Sequence, residues 1–128
     1  MFNAMNTDSS FRNLKVWQYA MALAEDLYRV TKTFPAEEGF GLTSQLRRAA
    51  VSVPSNIGEG KRRKRQKALA HHLDIALGSQ GELEVQLEIA KRVGLLKVAD
   101  YERLQQQTEE IGRMLNGHIS SIQDQSDD

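Results

Sequence analysis

From Gln66 to Val93 the chain runs without a proline, and Leu69, Leu73, Ala76, Leu83, Leu87 and Ala90 recur along it at a heptad-like spacing that only Gln80 breaks. Apolar side chains at this period share one side of a helix, and a helix this long cannot cover them by itself. It needs partners of comparable length. Ile75, Ile89 and Val93 fall on a flank of the seam, and Leu77 and Val85 point nearer the other side. The apolar surface therefore reaches far round the circumference, which predicts two neighbours, one of which can belong to another subunit. Gly78 and Gly81 predict close approach by another helix, and Gly94 is placed to end the segment as its C′ residue.

Three further segments read as helices. Leu14, Trp17, Ala20, Met21, Ala24, Leu27, Tyr28, Thr31 and Phe34 repeat at three and four, with Asn13 as N-cap and Pro35 as the stop. Leu46, Ala49, Ala50, Val53 and Ile57 mark a second helix over about 42–59. Pro54 lies inside it, which predicts a kink or a break, and Gly58 and Gly60 predict a weakened end. Leu104, Thr108, Ile111, Leu115, Ile119 and Ile122 mark the last helix, starting between Lys97 and Asp100. Four amphipathic helices with short connections make an all-α, antiparallel up-and-down four-helix bundle the economical fold, its second helix kinked at Pro54.

A chain of 128 residues, 40% apolar, predicts one domain with one core. We expect it over residues 11–122, with disordered polar tails at 1–10 and 123–128. There is no cysteine, which excludes disulfides, thiolate metal sites and thiol catalysis. The start, MFNAMNTDSS, lacks the basic and apolar regions of a signal peptide, and no apolar run approaches the roughly 20 residues of a membrane span. The expectation is a soluble cytoplasmic protein without membrane contact.

Charge is unevenly placed. Lys61, Arg62, Arg63, Lys64, Arg65 and Lys67 set six cations in seven positions of a chain with 17 basic and 17 acidic residues. With Arg47 and Arg48 they hold eight of the 17 cations within 21 residues, while from Asp74 onward there are 11 acids and 5 bases. Net neutrality thus hides a dipolar molecule. Such a cluster displaces counterions from a polyanion, which favours salt-dependent association with RNA or DNA, and Arg adds forked contacts to phosphate. The block also lies where the third helix begins, so its unpaired backbone N–H groups and dipole favour an anion. The candidate nucleic-acid-binding residues are Arg47, Lys61, Arg62, Arg63, Lys64, Arg65 and Lys67. The alternatives are docking on a protein partner or on the acidic half of another copy, and a solvated loop without specific role. No aromatic residue interleaves the block, so charge- or shape-based binding fits better than base stacking.

Other polar residues read as structure. Gln45, Arg48, Ser52, Ser55, Asn56 and Glu59 share a stripe of the second helix that can face Ser79 and Glu82 of the third. We expect Gln45, Arg48, Asn56, Glu59, Ser79 and Glu82 to form a structural network, with Glu59 or Glu82 pairing Arg48 and Asn56 bonding backbone freed by Pro54. Ser79 and Glu82 match a capping box, but lie mid-helix. His71, His72 and His118 show no ligand spacing, so no metal is expected. Trp17 and Tyr28 read as core. No Gly-rich phosphate loop and no nucleophile–base set is present, so neither cofactor nor enzymatic activity is expected.

The stretches FRNLKVWQYA, GLTSQLRRAAVSVPSNIGEG and IALGSQGELEVQLEIAKRVG, with the late RMLNGHIS, resemble the four-helix bundle proteins encoded within intervening sequences of bacterial 23S ribosomal RNA genes. The resemblance covers about residues 11–122. That family is similar in fold to the accessory variability determinant of diversity-generating retroelements, a pentameric basic barrel that binds nucleic acid and a reverse transcriptase. The resemblance implies a bundle, a ring-like homo-oligomer with a pentamer favoured, and contact with RNA or DNA. The chain departs from the family pattern at Arg65, where Ser usually caps the third helix, and at His72, where an aromatic is usual.

Overall fold

A computed structural model describes residues 10–39 and 41–126, apart from the side chain of Ser126. It contains α1 (Lys15–Thr31), α2 (Leu42–Arg62), α3 (Gln66–Arg92) and α4 (Val98–Ser126), with single 3-10 turns at Phe11–Asn13 and Ala36–Glu38. No strand occurs among the described residues. Each helix packs on the next and α4 returns to α1, while the backbones of the diagonal pairs stay farther apart. This is the expected four-helix bundle, with connections short enough to hold successive helices antiparallel.

The core is the shared inside of the four stripes. Leu23, Leu27, Leu46, Val53, Ile57, Leu73, Leu83, Leu87, Leu104, Ile111 and Leu115 are each at most 1% exposed. Gln80 interrupts the α3 seam yet is buried, because its amide donates to the Thr108 carbonyl at 3.0 Å and to the Glu84 carboxylate. Gly112 makes room for it: a Cβ there would lie 2.8 Å from the Gln80 amide nitrogen. The polar break in the heptad is thus a satisfied lock between α3 and α4.

Several ends differ from expectation. Asn13 is not the cap of α1. It closes the preceding 3-10 turn, whose own cap is Ser10, accepting from the Arg12 N–H at 3.1 Å. Leu14 precedes α1 in extended conformation and without a side-chain cap. α1 stops at Thr31, whose hydroxyl turns back to the Leu27 carbonyl at 2.8 Å, short of Phe34. α2 is one continuous helix through Pro54, so there is no break, and no kink is established there. It also continues through Gly58 and Gly60 to Arg62.

The glycines of α2 serve packing rather than a turn. The Phe11 ring lies 3.5 Å from where a Gly58 Cβ would stand, and a Cβ on Gly60 would sit 2.8 Å from the Cβ of His72. No helix of the chain itself approaches Gly78 or Gly81: nothing lies within 4 Å of where a Cβ would stand. At the end of α3, Gly94 takes φ +83° and the N–H groups of Gly94 and Leu95 reach the carbonyls of Lys91 and Ala90, the Schellman closure expected of it. Residues 123–126, expected in a tail, form the last turn of α4, where Gln125 accepts from the Gln66 amide at 2.6 Å. The remainder of the expected tails, 1–9 and 127–128, lies outside the described residues.

Gly60→Ala is expected to destabilise the fold by about 1–3 kcal/mol, since the new methyl meets an atom fixed to the α3 backbone and the helices must separate. Gly117→Ala, with open space around its site in α4, is expected to stabilise by about 0.5–1 kcal/mol. Urea unfolding of the pair of variants checks both signs.

Candidate nucleic-acid interface

Because α2 persists through its glycines, the basic block is divided among three settings. Lys61 and Arg62 form the last turn of α2, where cations complement the helix dipole. Arg63, Lys64 and Arg65 make up the whole α2–α3 connection. Lys67 lies in the first turn of α3, where a cation opposes the dipole. Lys64 adopts φ 61°, a left-handed conformation unusual for a residue with a Cβ. That single residue reverses the chain, and the block fans out at one end of the bundle.

Arg62, Arg63, Lys64, Arg65 and Lys67 are exposed, and Lys61 is partly so. Arg63 donates to Glu59 at 2.7 Å, and this hydrogen bond with the Arg63 charge holds the Glu59 carboxyl below its ordinary range. The other five have no ion pair among the described residues. Among the described residues, acids of the C-terminal half form no ion pair with them. Glu88 is spent on Tyr101, Arg92 and Lys91; the Tyr101 hydroxyl, at 2.7 Å, and the Arg92 guanidinium bring its pKa down to about 2. Asp100 and Glu110 pair with Arg103 and Arg113. Arg65 is the N-cap of α3, extended and without a side-chain cap bond, so the helix starts at Gln66 with its first N–H groups open. His72, the other departure from the family pattern, meets Asn56 through Nδ1 at 3.1 Å.

The structure does not bring Arg47 to the block. Fourteen residues of helix separate it from Lys61, about 21 Å at 1.5 Å per residue. Its guanidinium lies 4.4 Å from the Tyr28 ring centroid and donates to the Thr31 hydroxyl at 2.8 Å and the Tyr28 carbonyl at 3.3 Å. Arg47 ties α2 to α1 instead. Arg12 takes its place beside the block: with Phe11 and Ser10 it lines a cleft shared with Arg62 and Lys64. It lies some fifty positions away in sequence, so spacing carried no sign of it.

The expected polar network is present in part. Ser52 and Ser79 hydroxyls meet at 2.7 Å across α2 and α3, and Asn56 donates to the Ser52 carbonyl at 2.9 Å rather than to backbone freed by Pro54. Gln45, Arg48, Ser79 and Glu82 line one cleft. Neither expected partner pairs with Arg48: Glu59 turns to Arg63, and Glu82 has no ion pair among the described residues. No group of three or more His, Asp or Glu able to hold a metal ion occurs among the described residues.

Sequence reasoning missed one buried charge. Asp26 is 6% exposed between α1 and α4. It accepts from Arg103 at 2.8 and 3.0 Å, Gln107 at 2.8 Å and Arg29 at 3.1 Å. The signal was available: Asp26 falls on the apolar side of α1 between Leu23 and Leu27, where a charge needs partners. Arg103 foremost holds its carboxyl below the ordinary 3.8, against the opposing effect of burial.

The model of one protein family, described as 23S rRNA-intervening sequence protein, matches residues 12–117. A crystal structure from Bacteroides thetaiotaomicron VPI-5482, described as a protein with unknown function from the S23 ribosomal protein family, is similar with a TM-score of 0.76 and 24% identity, over 82% of this chain and 95% of that one. The likeness shows the fold. No curated protein matches the chain. Among the described residues no helix is long and apolar enough to cross a membrane.

Asp26→Ala is expected to cost about 1–3 kcal/mol, because Gln107 loses a buried acceptor while half-exposed Arg103 can rehydrate. A depressed folded pKa stabilises above the unfolded value and is lost as pH falls through the folded one. Denaturant titrations of wild type and Asp26→Asn should therefore differ most above the ordinary carboxylate range and converge as pH falls through the lowered folded value.

Proposed function

The chain belongs to the 23S rRNA-intervening sequence protein family, and from that premise we propose a noncatalytic, homo-oligomeric, cytoplasmic helical-bundle protein that binds the backbone of RNA or DNA through the cations around its α2–α3 turn. The observation that supports this reading is the set of cations without an ion pair among the described residues, Lys61, Arg62, Lys64, Arg65 and Lys67, gathered at one end of the bundle. Among the described residues none of these five has an ion pair that must be broken before it meets a phosphate. A phosphate backbone laid across the turn would meet forked Arg contacts and the open N–H groups of α3. It would also relieve the unfavourable position of Lys67 at the positive end of that helix. Arg12 widens the surface. In a ring of copies, a pentamer on the family resemblance, the patch repeats and weak contacts add.

The family description concerns ribosomal RNA, which makes structured RNA the first polyanion to test. The competing reading is a scaffold for a protein partner, with the patch used for docking and no nucleic-acid contact. Labelled RNA and duplex DNA titrated across a salt series separate them. Binding is expected to weaken steeply with salt, and Arg63→Ala, Lys64→Ala and Arg65→Ala together are expected to lower the slope of log affinity against log salt by about one per lost phosphate contact. Affinity indifferent to salt and to these substitutions would remove nucleic-acid binding and leave the scaffold.

Lys64 supplies a separate check on the turn. Lys64→Gly is expected to keep or raise the melting temperature, whereas Lys64→Val should be the less stable of the two by about 1 kcal/mol, because a branched side chain is strained at this dihedral.

A further inference from the structure

The cleft between α2 and α3 is lined by polar side chains whose hydrogen-bonding capacity is not used up. Its volume is about 440 Å³. Gln45, Arg48 and Ser52 line it from α2, and Ser79, Glu82 and Gln86 from α3. Arg48 and Glu82 are exposed, and they lie too far apart to pair with each other. Neither has a hydrogen bond or ion pair with any other described residue.

Ser79, by contrast, is buried, 8% exposed, and its hydroxyl meets that of Ser52 at 2.7 Å. The Ser52 hydroxyl oxygen also accepts from Asn56 Nδ2 at 3.2 Å. Two hydroxyls bring two protons, and one of them lies between the pair. The other has no acceptor among the described residues. Gln86 Oε1 is shut from water and has no donor there either. Folded proteins leave few buried polar groups unpaired, because each costs free energy. The unused capacity divides by kind. Arg48 and one serine hydroxyl offer protons, while Glu82 and Gln86 offer lone pairs.

The charges divide in the same way, since Arg48 and Glu82 are the two ionised side chains among the described residues of the cleft. A simple anion would suit Arg48 and be repelled by Glu82, and a simple cation would meet the reverse. We propose that this cleft is a binding site for a small zwitterion, an α-amino acid with a short polar side chain. Its carboxylate accepts from Arg48, which can give two parallel N–H bonds, and from the serine hydroxyl. Its ammonium donates to Glu82 and, once the side-chain amide turns outward, to Gln86 Oε1. Ala49 is the one apolar residue among the described lining and no aromatic lies there, so a large apolar side chain finds no pocket. Exposed Gln45 is free to meet a polar one. Arg48 lies about 20 Å along α2 from Lys61 at 1.5 Å per residue, so the site is separate from the basic tip and independent of nucleic-acid binding.

Equilibrium dialysis of the full chain against radiolabelled glycine, L-serine and L-glutamine tests this, with L-phenylalanine for comparison. At least one of the three is expected to bind saturably, one molecule per chain, and L-phenylalanine more weakly. Arg48→Gln and Glu82→Gln are each expected to weaken binding by about tenfold, and Ser79→Ala by less. Arg48 and Glu82 are exposed, and helical circular dichroism verifies that their variants fold. Acetate and ethylamine, each carrying one half of the zwitterion, are expected to compete far more weakly than the unlabelled amino acid. No saturable binding of any of the three up to about 10 mM would overturn the site. Acetate competing as well as the amino acid, or binding untouched by both substitutions at Arg48 and Glu82, would overturn the zwitterion. L-phenylalanine binding as tightly as the three would overturn the polar preference.

Discussion

The close approach of α2 and α3 governs the rest of this molecule. The two helices meet where Gly60 leaves no side chain against the Cβ of His72, and the Ser52 and Ser79 hydroxyls join them at 2.7 Å farther along. Helices held this near can be joined by three residues, and the three are Arg63, Lys64 and Arg65. A longer or looser connection would spread the cations over a flexible loop. Here the shared packing of two helices converts a basic run in the sequence into a compact charged tip, with one left-handed residue making the reversal.

Electrostatics divides the bundle in a way its zero net charge conceals. Three acids of α3 and α4 are satisfied close to home: Glu88 by Tyr101 and Arg92, Asp100 by Arg103, Glu110 by Arg113. Asp26 is satisfied across the bundle by Arg103 and Gln107. Among the described residues the basic tip receives only Glu59. Exposed pairs of this sort contribute little to stability. Among the described residues no acid of α3 or α4 pairs with a cation of the block.

The apolar pattern has the same excess. A bundle needs one stripe per helix, and the buried stripe of α3 is met in full by Leu73, Ala76, Leu83, Leu87 and Ala90. Val85 and its neighbours lie outside it, as do Trp17 and Tyr28 on α1. Exposed apolar side chains scattered singly are ordinary; aligned on a helix or walling a groove they mark a contact surface. The expectation that Trp17 and Tyr28 are core holds for Trp17, partly buried and packed against the core, and fails for Tyr28, which is 41% exposed. They are spaced like core residues, but the buried face of α1 is centred on Val16, Ala20, Leu23 and Leu27, and the two aromatics sit on its edge.

Periodicity alone determined that this chain forms four helices and a bundle, because a 3.6-residue repeat of apolar side chains allows no other burial, and it also showed that α3 carries more apolar surface than one side can hide. Local chemistry determined the Gly94 closure, since only a residue without Cβ takes φ +83° easily. Tertiary packing decided what local signals left open or misread. Gly58 and Gly60 look like a helix end, yet serve contacts with Phe11 and His72 from distant parts of the chain. Arg47 looks like one of a basic cluster, yet a helix rises 1.5 Å per residue and carries it away to Tyr28. Arg12 joins the cluster only because the turn before α1 folds against the end of α2. A helix's own period is written in neighbouring residues, whereas which side chains meet across the bundle depends on rotation and rise that no single segment records.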